Sequence, residues 1–155
     1  MIGVIAWAIV ESENGNSLFM HLLAALPILS ERPTTFMSDR DKGLMDAEAL
    51  LPPCICRAYC CFHLKENFTT KFSRTLADIF WQIARSPTIY LYNYHMDTLH
   101  QLNPTAAVYL HNIPSQFWVA AFIPGHRYGQ DTSNIVKCIN FDFKALRELP
   151  IVELL

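Results

Sequence analysis

Ile55-Cys56-Arg57-Ala58-Tyr59-Cys60-Cys61 reads as one short strand, and the residues after it, with Leu64, Phe68 and Phe72 four apart, read as a helix beginning near His63. A strand that hands over at once to a helix is the repeating unit of α/β architecture, and the flanking sequence repeats it. Upstream, Thr34-Thr35-Phe36-Met37-Ser38 is a short buried strand ending at Asp39, and Leu44 to Leu51 is a short helix stopped by Pro52-Pro53. Further upstream, Met1 to Val10 forms an apolar strand. Glu11 to Asn16 is a turn, and Ser17 caps a helix carrying Leu18, Phe19, Leu22, Leu23 and Leu26 that Pro27 closes.

Downstream the character changes. Leu76, Ile79, Phe80 and Ile83 recur at helical spacing, and further helical patches are separated by Pro87, Pro104 and Pro114, so 73–124 reads as an all-helical insertion. A polar loop from Pro124 to Asn134 precedes a last amphipathic stretch, Ile135 to Leu149, with Pro150 as its stop. The expected organisation is therefore a core at 1–72, the insertion at 73–124 and C-terminal core helices at 125–155.

Composition narrows the function. With 155 residues, 52% of them hydrophobic and 17% charged, the chain has the content of one globular domain, and a net charge of -2 gives no general attraction to phosphate. Nucleic-acid binding would need a local patch. Trp81, Arg85, Tyr90, Tyr92, Tyr94 and Trp118 could supply one, although aromatic residues at helical spacing more often lie in the core. His126, Arg127 and Lys144 form at most a small basic patch. The N-terminal apolar run lacks a basic leader and meets Glu11 and Glu13, so neither a signal peptide nor a membrane span is expected, and an intracellular location, nuclear or cytoplasmic, follows.

The 5 cysteines, at 54, 56, 60, 61 and 138, are odd in number, which suits a reducing compartment better than a disulfide framework. Cys54, Cys56, Cys60, Cys61 and His63 carry enough soft ligands for zinc. Against that, adjacent Cys60-Cys61 on a strand would point to opposite faces, and the spacing is not the C-x₂₋₄-C with a distant second pair that zinc sites usually use, so packed thiols are the favoured reading over a zinc site.

Four segments taken in order resemble the Mutator-like (MULE) transposase family: Ala6-Trp7-Ala8-Ile9-Val10-Glu11-Ser12-Glu13-Asn14; Ser38-Asp39-Arg40-Asp41-Lys42-Gly43-Leu44; Tyr59-Cys60-Cys61-Phe62-His63-Leu64-Lys65-Glu66-Asn67; and Arg127-Tyr128-Gly129 leading to Thr132-Ser133-Asn134 and Asn140. The closing Arg147-Glu148-Leu149-Pro150-Ile151 extends the resemblance across nearly the whole chain.

The resemblance implies an RNase H-like fold and a DDE acidic triad holding two divalent ions, Mg²⁺ or Mn²⁺, for in-line phosphoryl transfer in DNA transposition. It makes Asp39 the second acid, at the carboxyl end of its strand, and an ancestral metal ligand. From the residues alone, Ser38-Asp39 reads more readily as a helix cap, with acidic Asp41 in the first turn that follows. Cys60 and His63 match the family's C-x-x-H motif and would stand near the active centre.

The third acid falls in Ser133-Asn134-Ile135-Val136-Lys137-Cys138-Ile139-Asn140, where Lys137 takes the place of the glutamate. An ammonium cannot ligate Mg²⁺ and repels it. Asp142 lies five residues beyond, about 500° round a helix and off the face of Lys137, while Glu11 and Glu13 end a neighbouring strand. The family's first acid lies upstream of the segment matching Ala6 to Asn14, so it is expected to be missing.

The expectation is thus an incomplete α/β RNase H-like core of about three strands plus helices, interrupted by a helical insertion and catalytically dead. No cofactor is expected in this chain. DNA, in the form of the ancestor's terminal inverted repeats, and transposase subunits are the partners the family suggests. A non-enzymatic DNA-binding or protein-interaction module is the alternative.

Overall fold

A computed structural model describes residues 34–40, 55–125 and 131–132. Its elements are strands β1 (Thr34–Ser38) and β2 (Ile55–Tyr59), then helices α1 (Cys61–Lys71), α2 (Ala77–Ala84), α3 (Ile89–Leu102) and α4 (Pro104–His111). The architecture is mixed α/β, with two parallel strands and four α-helices among the described residues. The strand expected at Met1 to Val10, the helices expected at Leu18 to Leu26 and Leu44 to Leu51, and the amphipathic stretch from Ile135 lie outside them.

β1 has the bounds its sequence predicts. It pairs with β2 in parallel, in register from Thr34 opposite Ile55 to Ser38 opposite Tyr59. The second strand is shorter than expected. It ends at Tyr59 rather than Cys61, and α1 begins at Cys61 rather than near His63.

Two hydrogen bonds account for the shift. The Cys60 amide donates to the Ser38 carbonyl at 2.7 Å, finishing the ladder, and the Cys61 amide turns away to donate to the Asp131 carbonyl at 2.9 Å. The Cys60 carbonyl then accepts the Leu64 amide at 3.1 Å, which is the first helical bond. Cys60 and Cys61 therefore do not alternate across a strand. Both are buried at the start of a helix.

The helices pack by the apolar spacing that the sequence displays. Leu64 and Phe68 of α1 face Leu76 and the Ile79, Phe80 and Ile83 face of α2, with Leu99 of α3 and Ala106, Ala107 and Leu110 of α4 completing the cluster. Phe68 lies at its centre, its ring 5.4 Å from Phe72, 5.6 Å from Phe80 and 6.3 Å from Tyr109. Phe80 stacks in turn on Trp118, centroids 5.5 Å apart and planes 14° from parallel. Each such side chain, fully buried, contributes about 1.5–3 kcal/mol of transfer free energy. The core thus runs without a break from α1 into 73–124.

Local chemistry sets the helix boundaries. The Thr88 hydroxyl accepts the Leu91 amide at 3.2 Å to start α3, and Asn103 Oδ1 accepts the Ala106 amide at 3.0 Å to start α4. Pro104 occupies the first turn of α4, where its missing N–H costs nothing, so this proline opens a helix as well as ending the one before. After α4, a 3₁₀ turn at Ser115–Phe117 swings Trp118 inward, and the Ala120 amide bonds the Ala84 carbonyl at 2.9 Å. Gly125 then crosses the strand pair so closely that a Cβ there would meet Cys56 Cβ at 2.6 Å and Thr35 Oγ1 at 2.7 Å.

The aromatic residues of 73–124 divide. Trp118 is fully buried, and Trp81 and Tyr92 are half-buried against the core, as the core reading expects. Burial raises the Tyr92 hydroxyl pKa above its ordinary value near 10.0. Tyr90 and Tyr94 correct that reading, with 78% and 59% of their surface exposed, and Arg85 is exposed too. Tyr90 and Tyr94 project from α3, and Arg85 from the end of α2. No helix among the described residues is long and apolar enough to cross a membrane.

Candidate functional site at the carboxyl ends of the strands

Parallel strands place their carboxyl ends together, and in open α/β sheets the crevice beyond those ends is where ligands bind. Here β1 runs into Asp39 and Arg40, while β2 runs into Cys60 and the first turn of α1, which carries His63. The ladder bond from Cys60 to Ser38 fixes these two chain ends as neighbours. Asp39 and the C-x-x-H pair Cys60 and His63, drawn from two separate motifs in the sequence, therefore share one end of one strand pair.

Three polar atoms at this end are buried with no hydrogen-bond partner among the described residues: Asp39 Oδ1, Arg40 Nε and His63 Nδ1. A buried group left unpaired costs about 1–3 kcal/mol, so these atoms call for a partner beyond the described residues, a water or an ion among them. Arg40 has a partial compensation, since its guanidinium lies 5.5 Å from the centre of the Tyr59 ring.

The thiols divide in role. Cys61 points its sulfur at the Trp118 carbonyl oxygen, 3.4 Å away, and is fully buried in the helical core. It pins the start of α1 to the segment after α4. Cys60 is equally buried, and Cys56 is half-buried on β2 beside Gly125. None of the three is in a disulfide; Cys54 and Cys138 lie outside the described residues.

Asp131 closes the same end from a distant part of the chain. Its carbonyl accepts the Cys61 amide, and its Oδ2 accepts Arg85 Nε at 2.7 Å. The Arg85 guanidinium also lies 4.4 Å from the centre of the Trp81 ring. Asp131 thus caps α1 in place of a side chain on Cys60, which makes no capping bond. Neither Asp131 nor Arg40 was singled out by sequence reasoning as part of a site. Asp131 lies in a loop whose only sequence signal is polarity, and no periodicity links it to Arg85, 46 residues away.

A hard divalent ion needs several oxygen ligands, anionic for preference, converging on one point. Among the described residues, no three His, Cys, Asp or Glu side chains converge in that way. Asp39 offers one unengaged oxygen, and Asp131 directs one of its two at Arg85. Lys137 lies outside the described residues, as does the helix that Ser38-Asp39 would cap. A separate shallow concavity of about 300 Å³, lined by Trp81, Gln82, Arg85, Ser86, Pro87 and His95, lies between the end of α2 and α3.

Comparison of the chain with protein-family models, with curated proteins and with solved structures finds no match.

Proposed function

We propose that the chain derives from a Mutator-like transposase catalytic domain with an RNase H-like core, and that it no longer carries out metal-dependent phosphoryl transfer. One observation supports the ancestry most directly. β1 and β2 are adjacent and parallel, and Asp39 follows the carboxyl end of β1 with a buried oxygen that bonds to nothing described. A flanking strand pair with the second acid in that place is what the resemblance requires. The C-x-x-H residues Cys60 and His63 stand at the end of the neighbouring strand.

Loss of activity is argued from Lys137. Two metal ions bridging an attacking and a leaving oxygen need a carboxylate at the third position, and an ammonium there removes a ligand and adds repulsion. The donor set does not fit a two-ion centre, so no catalytic step is assigned to it. Manganese binding followed by water-proton relaxation tests this. The native chain should show no saturable Mn²⁺ site, and Lys137→Glu should create a weak one that Asp39→Ala removes. Saturable binding by the native chain would overturn the reading.

A second reading, a non-enzymatic module that contacts DNA, is favoured by exposed Tyr90 and Tyr94, one helical turn apart on α3 and available for base stacking. It requires salt-sensitive binding to single-stranded DNA that weakens on Tyr90→Ala or Tyr94→Ala while the fold is kept. Binding indifferent to both changes would reject it.

A further inference from the structure

We draw no further inference here: the strongest candidate, the shallow concavity between the end of α2 and α3 lined by Trp81, Arg85, Ser86 and His95 and flanked by exposed Tyr94, carries nothing because Arg85 is already paired with Asp131 and nothing in the structure shows what covers that face.

Discussion

Around Phe68 and Trp118 the buried polar groups have partners: the Thr69 hydroxyl donates to the Lys65 carbonyl at 3.0 Å, Ser86 to that of Gln82 at 2.7 Å, and the Trp118 indole N–H to that of Ile113 at 3.3 Å. Around Asp39 and His63, at the carboxyl ends of the strands, buried polar atoms have no partner among the described residues. His95 Nδ1, on α3, also lacks a partner among the described residues. The contrast separates two kinds of sequence constraint. The helical layer reads as a region arranged for packing, with apolar periodicity, caps and hydrogen bonds in agreement. The strand ends read as a place where buried polar atoms lack partners among the described residues, which is what makes them the candidate site.

Substitutions should separate the two regions by size of effect. The largest belongs to the helical layer. Trp118→Ala removes a fully buried ring stacked on Phe80 and should cost about 3–5 kcal/mol in urea unfolding, enough to unfold a marginal domain. At the strand ends, Asp39→Asn should be nearly neutral or slightly stabilising, because the oxygen it alters bonds to nothing described. A large loss at Asp39 would erase the contrast and make that residue structural.

An intermediate effect is expected where the two regions meet. Gly125→Ala drives a Cβ to within 2.6 Å of Cys56 Cβ and 2.7 Å of Thr35 Oγ1, both on the sheet, so strand or loop must move. Overpacking of this kind costs about 1–3 kcal/mol. Hydrogen exchange would show where the cost falls. Faster exchange at the amides of β1 and β2, with α2 and α4 unchanged, would confine the cost to the strands, whereas uniform acceleration would show that the two regions unfold as one.

Much of the helical layer was legible in the sequence because it obeys local rules. Leu64, Phe68, Leu76, Ile79, Phe80 and Ile83 are all buried as their spacing predicts, and Thr34–Ser38 forms a strand with the predicted bounds. The misreadings have tertiary causes. Cys60 and Cys61 look like strand residues, and only the amide bonds to Ser38 and Asp131 make the chain turn there. Tyr90, Tyr92 and Tyr94 are chemically identical, so composition could not reveal that Tyr92 lies against Phe122, at 5.0 Å, while its neighbours face outward. In the candidate site, Asp39, Cys60 and His63 were found through motif resemblance. Asp131 and Arg85 meet only through the fold, and no local pattern announces such a pair.

The proposed absence of catalysis is checked by nicking of supercoiled plasmid and of terminal-repeat DNA by the purified chain with Mg²⁺ or Mn²⁺. Metal-dependent cleavage should not rise above background, and the native chain and Asp39→Ala should be indistinguishable. Cleavage that requires the metal and disappears on Asp39→Ala would contradict that absence, and would show that Asp39 serves a working centre despite Lys137.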